Sequence, residues 1–210
     1  MSVVTSTADR APYHHGDLRN ALISEATDLA RGGGPDAVVL REAARRVGVS
    51  PSAAYRHFPS LEALLAAVGS RAREALGQAM LERIAALPAD RNDSRAALAR
   101  FRATGSAYID FALSEPGLFR VAFTPCDPAL LVRDDPSPYA LLSEAIDAVA
   151  ETGALPAERR PHAEEVAWSA VHGVAVLIGD GLIALADERD RDDVIDRVLD
   201  GVVFGLTGRA

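Results

Sequence analysis

With 210 residues, 49% hydrophobic and 25% charged, the chain is long enough to bury a sizeable core, in one domain or in a small domain joined to a larger one. All of its Lys/Arg positions are arginine, which excludes a Schiff-base lysine and a Gly-Lys-Ser/Thr phosphate loop, and the single cysteine, Cys126, excludes an internal disulfide and a multi-cysteine metal site. The net charge of −8 is uneven: residues 1–60 hold seven arginines against six acids and the rest fifteen against twenty-four, so a near-neutral head able to meet nucleic acid precedes an acidic body.

Residues 1–14 are small and polar without periodicity, as in a flexible N-terminal arm. Helical spacing of Leu18, Leu22, Ile23, Ala26 and Leu29 predicts a helix over 17–30, with Asp17 as its N-cap and the Gly32-Gly33-Gly34-Pro35 run as its end. Two short helices follow over 41–47 and 51–58, then a long one over 61–87 stopped by Pro88, and another over 94–113 closed by Glu115-Pro116. Residues 117–123 read as a short apolar turn, leading into a loop with Pro125, Pro128 and Pro136. Helices over 138–152, 160–186 and 190–206 complete the chain, and no segment reads as a strand. The fold class expected is all-α. The longest apolar run, 170–179, contains His172 and is too short to span a bilayer, and no basic-then-apolar leader opens the chain, so a cytoplasmic protein without a membrane partner is expected.

The pair of helices over 41–58 carries the strongest signal. Ala43, Ala44 and Val47 share a narrow face of small residues, Gly48 suits a turn needing positive φ, Val49 plugs the corner, and Ser50 with Pro51 starts the next helix. This is helix-turn-helix spacing, in which one helix braces another that enters a major groove. A purely structural αα corner, or one that binds another protein, would share the pattern. The exposed set of Ser52, Ala53, Tyr55, Arg56 and His57 favours the DNA-binding reading without closing the others, because hydroxyl, guanidinium and imidazole donors bind phosphates and base edges.

"YHHGDLR" (13–19), "LREAARRVGVSPSAAYRHF" (40–58) and "EALLAAV" (62–68) resemble, in order and spacing, the DNA-binding head of TetR-family transcriptional regulators. "YIDFALSEPGLFRVAF" (108–123) and "WSAVHGV" (168–174) resemble the body of the family branch named for its Trp-His-Gly motif. The resemblance implies a helix-turn-helix head over 15–60, a connecting helix over 61–87, and a ligand-binding and dimerisation body over 88–210. It also implies a homodimer on a near-palindromic duplex operator, acting as a repressor released by an unknown small-molecule effector, with no catalytic residue, metal or cofactor. By position it assigns DNA contacts to Arg41, Ser50, Ser52, Ala53, Tyr55, Arg56 and His57. Three positions depart from the family pattern: Leu61 replaces a lysine, Val39 replaces a capping Ser or Thr, and Ala54 replaces a leucine.

In the body, Phe101, Tyr108, Phe111, Phe119, Phe123, Trp168 and His172 gather the scarce aromatics and a histidine, and suit either the lining of an apolar ligand pocket or plain core. Val171, Val174, Ile178 and Leu182 form one helical stripe and Val198, Val202 and Leu206 another. With the resemblance, these are the candidates for the dimer interface, although a core within one chain would use the same stripes. Enzyme readings are poorer. His162 and Glu164 form an H-x-E pair and Pro125-Cys126 a "PC", but the order is reversed and a second cysteine is missing for a zinc deaminase. Residues 48–52, "GVSPS", miss the nucleophile-elbow pattern, and His14 and His15 are adjacent in an arm.

Overall fold

The structure is a computed structural model that describes residues 15–88, 93–130 and 134–208, with side chains from Leu18 onward; the arm expected over 1–14, including His14, lies outside them. Nine helices and no strand are present among the described residues: α1 (His15–Gly33), α2 (Leu40–Val47), α3 (Pro51–His57), α4 (Leu61–Ala85), α5 (Ser94–Ser114), α6 (Pro116–Ala122), α7 (Pro138–Glu151), α8 (Ala163–Gly179) and α9 (Glu188–Thr207). None is long and apolar enough to cross a membrane.

Side-chain caps set most of the starts. Ser50, Ser60, Asp93, Ser137 and Asp187 each accept the backbone N–H three residues ahead, satisfying a donor that the first helical turn leaves open. Asp17 does not have that role, because α1 begins at His15 and Asp17 is already inside it. The segment 117–123, expected as a turn, is mostly α6: Pro116 fits the first helical turn, where no N–H is needed, and Leu118, Phe119 and Val121 are all buried. The helix expected over 160–186 is shorter at both ends. Its N-cap, His162, is left-handed with φ 61°, and at the far end Asp180 and left-handed Gly181 leave the helix, so 180–187 connect α8 to α9.

Two apolar clusters hold the molecule together. The first runs from Leu22 and Ile23 of α1 through Ala44, Ala54 and Phe58 to Leu64, Val68 and Leu76 of α4, and on to Ile109, Val121, Val171 and Leu199. Head and body therefore share a core along α4 and α6. The second joins Phe101, Ile146, Val149, Ala167 and Leu206 from α5, α7, α8 and α9, with Leu155 from the connection between α7 and α8. Full burial of side chains such as Leu22, Leu64 and Ile109 contributes about 1.5–3 kcal/mol each.

Candidate functional site

The α2–α3 corner is built as its residues require. Gly48 has φ 80° and ψ 29°, its N–H reaches the carbonyls of Ala44 and Arg45, and Val49 N–H returns to Ala44 O at 3.0 Å. Ala43, Ala44, Ala54 and Phe58 are buried beneath it. Small residues let the two short helices approach, and the guanidinium of Arg19 covers the Phe58 ring at 5.1 Å. Ser50, Ser52, Tyr55 and Arg56 are exposed, as is Arg41 on α2, whereas Ala53 and His57 are half-buried.

The charges on α2 and α3 divide into two groups. Arg45 and Arg46 both bind Glu42, with hydrogen bonds of 2.8 and 3.0 Å, and those two arginines hold the Glu42 carboxyl down at about 2. Arg41 and Arg56 form no ion pair among the described residues, so their guanidinium donors are available to an anion. Val39 occupies the N-cap of α2 without a side-chain hydrogen bond, and Leu61 stands exposed at the first position of α4.

In the body, a cavity of about 760 Å³, counted with its open mouth, is enclosed by α4, α5, α7, α8 and α9. Four of the aromatics nominated from the sequence, Phe101, Tyr108, Phe123 and Trp168, line it. Phe119 and His172 stand behind them, with ring centres 5.5 and 6.2 Å from that of Tyr108. Phe111 does not belong to the group: it lies with Ala107, Asp110 and Ser114 along a groove that α5 makes with α4, while Phe101, Thr104, Gly105 and Tyr108 share the face turned to the cavity.

Tyr108 organises the aromatic wall. Trp168 Nε1, which can only donate, gives its proton to the Tyr108 hydroxyl at 2.9 Å, and the same hydroxyl shares a second hydrogen bond of 2.8 Å with His172 Nδ1. Burial pushes the Tyr108 phenol up and the His172 imidazole down, and both stay neutral near pH 7. The opposite wall has a pair that sequence reasoning missed. Arg73 of α4 donates through Nε to Asp134 Oδ2 at 2.6 Å and through Nη1 to the Ala122 carbonyl at 2.8 Å, and Ser70 Oγ donates to Asp134 Oδ1 at 2.9 Å. Asp134 lies in the proline-rich loop before α7, 61 residues from its partner, and no local pattern marks such a contact.

Most residues of the stripes nominated for dimerisation are buried or half-buried within this chain. Val171, Val174 and Leu206 are buried within this chain, Ile178 and Val198 pack against the same core, and Val171 and Val202 line the cavity. Leu182, 69% exposed, lies beyond the end of α8. The strongest apolar stripe of a helix turns to its own core first. What α8 and α9 present outward is a different set: Val166 and Leu177, exposed along α8 with open Gly173 between them, and Phe204 at 56% between open Gly201 and Gly205 on α9.

The H-x-E pair has a structural role. Glu164 accepts from Arg160 and from Ser143 at 2.7 Å, while His162 is exposed, and no group of three or more metal-ligating side chains occurs among the described residues.

Two family models match the chain. Residues 22–68 match the tetR family of bacterial regulatory proteins, and residues 101–202 match the tetracyclin repressor-like C-terminal domain. Curated protein sequences gave no match. Among solved structures, a protein of unknown function from Rhodococcus sp. RHA1 is 27% identical, with 94% of this chain and 100% of that one covered at a TM-score of 0.75. A TetR variant from Acinetobacter baumannii AYE in complex with minocycline is 20% identical, with 89% and 94% covered at 0.62. RolR in complex with resorcinol is 19% identical, with 91% and 88% covered at 0.61. A helix-turn-helix head matched by one model and a cavity-bearing body matched by the other, in that order on one chain, place it: the chain belongs to the tetR family of transcription regulators and is not an enzyme.

Proposed function

We propose that this regulator is a homodimeric repressor that binds a near-palindromic operator and releases it when a small molecule fills the body cavity. The observation that carries the reading is the continuity of α4, which packs Leu64 and Val68 into the head core and places Arg73 and Met80 at the cavity wall. A ligand that shifts this wall acts on the helix that carries the head. A second connection runs through α6, where Phe123 lines the cavity and Gly117 rests on the carbonyls of Ala30 and Arg31 at the end of α1, beside the Arg31–Glu115 ion pair of 3.0 Å. Only a ligand that binds one spacing of the heads better than the other can shift the equilibrium between them.

On DNA, Arg41, Ser52, Tyr55 and Arg56 supply the exposed contacts, with Ser50, Ala53 and His57 at the margin of the face. The outward faces of α8 and α9, with Val166, Leu177 and Phe204, are where a second copy docks, since exposed apolar side chains beside open glycines suit close helix approach. We also propose that the body belongs to the Trp-His-Gly branch, a reading supported by the convergence of Trp168 and His172 on Tyr108.

The test is selection of purified protein against randomised duplex DNA at two salt concentrations. The expected result is a two-fold symmetric site with half-sites about 34 Å apart, whose affinity falls by about 0.9 log units per phosphate contact for each tenfold rise in salt. Failure to enrich any sequence at either salt would reject DNA recognition and favour a protein partner for the corner.

A further inference from the structure

The polar groups on the cavity wall are already engaged. Thr104 Oγ1 donates to the Phe101 carbonyl at 2.7 Å, Trp168 Nε1 to Tyr108, and Tyr139 Oη to Glu165 at 3.4 Å. Of the two guanidiniums on the wall, Arg102 contacts Asp196 and Asp200 at 2.9 and 3.2 Å, and Arg73 holds Asp134 through two nitrogens. Arg73 and Asp134 are only 16% and 14% exposed, so their charges offset each other with little help from water. A ligand entering this space meets aromatic and aliphatic surface and no unpaired charge.

We propose, on the reading that this cavity is the effector site, that it takes an uncharged, largely apolar ligand, and that Asp134 sets this selectivity by neutralising Arg73. A carboxylate or phosphate entering the cavity would lose its hydration and would find the one deeply placed guanidinium already bound to an acid, with Asp196 and Asp200 beside the other. Asp134→Asn keeps the size of the side chain and an oxygen for Ser70 and Arg73, but leaves the Arg73 charge uncompensated at the wall. The same cavity then favours an anion.

The experiment uses three probes of one shape: 1-acetyladamantane, 1-adamantanecarboxylate and 1-adamantyltrimethylammonium. Trp168 is the only tryptophan in the chain and lies on the wall, so its fluorescence reads occupancy; the carboxylate and the ammonium do not absorb in its range and the ketone absorbs there only weakly, which a control with free tryptophan corrects. The full chain is expected to bind the ketone at least tenfold more tightly than either ion. Asp134→Asn should improve the carboxylate at least tenfold relative to the ketone, and the double variant Arg73→Gln/Asp134→Asn should restore the original order. Tighter binding of either ion by the unmodified chain, or no binding of any probe, overturns the ligand class. An unchanged carboxylate-to-ketone ratio in a folded Asp134→Asn variant overturns the role of Asp134, and if that variant does not fold, the order of the three probes on the unmodified chain still decides the class. Operator affinity measured alongside separates the two readings: a ketone that changes Trp168 fluorescence without weakening DNA binding leaves the ligand class standing and refutes the effector role.

Discussion

Val39 places an apolar side chain, 48% exposed, at the N-cap of α2, where a hydroxyl would accept an open backbone donor. Val39→Thr is expected to raise stability by about 1 kcal/mol in thermal or urea denaturation. Gly48 has the opposite sensitivity. An added Cβ there meets no neighbour, but the left-handed φ of 80° means Gly48→Ala costs about 1–2 kcal/mol, read in the same way. His172 gives a pH dependence. Its folded value is lowered from the ordinary 6.5 by burial, so the unfolded chain binds the proton more readily, and the contribution of His172 is present above 6.5 and is lost as pH falls below it. Melting temperature should decline from pH 7 toward pH 5, and His172→Gln should flatten that part of the curve.

At the scale of elements, α6 lies between the cavity and the head, with Phe123 at the cavity wall and Gly117 against the end of α1. A Cβ on Gly117 would overlap the Ala30 carbonyl oxygen and come within 2.7 Å of that of Arg31, and backbone cannot yield as a flexible side-chain tip can. Gly117→Ala is therefore expected to push α6 from α1 and cost about 1–3 kcal/mol by overpacking. Operator affinity should fall alongside stability, whereas a change confined to stability would separate α6 from the signal. The same helix shows a limit of pattern reading. Seven residues ending at Ala122 are too few to display a helical period, and only the packing of Leu118, Phe119 and Val121 against neighbouring helices makes the segment helical.

At the scale of the whole molecule, the proposed homodimer requires the outward faces of α8 and α9 and the exposed side of α3 to act together. Leu177→Glu with Phe204→Glu places four charges in a symmetric dimer interface, and sedimentation should show a monomer with weakened operator binding, because each head then binds a half-site alone. A dimer that survives the change would move the interface elsewhere. Arg56→Ala, far from that face, should leave the dimer intact and cost about 1–3 kcal/mol of operator binding if the guanidinium pairs with a base.

The helical class and the corner were legible in the sequence because both depend on local chemistry: the spacing of apolar residues, Gly48 at a left-handed turn, and Ser50 with Pro51 at a helix start. Four cavity-lining aromatics could also be nominated, since scarce large side chains in an acidic, alanine-rich body have few places to go. Which side of each helix meets which neighbour was decided only by the tertiary structure. Val171 and Val202 turned inward to the cavity, Phe111 turned toward α4, and the weaker stripe of Val166, Leu177 and Phe204 was left outside. Periodicity fixes that a helix has an apolar face but carries no record of its partner. The Arg73–Asp134 pair has the same cause, for an ion pair across 61 residues exists only once α4 and the loop before α7 have been brought together by the rest of the core.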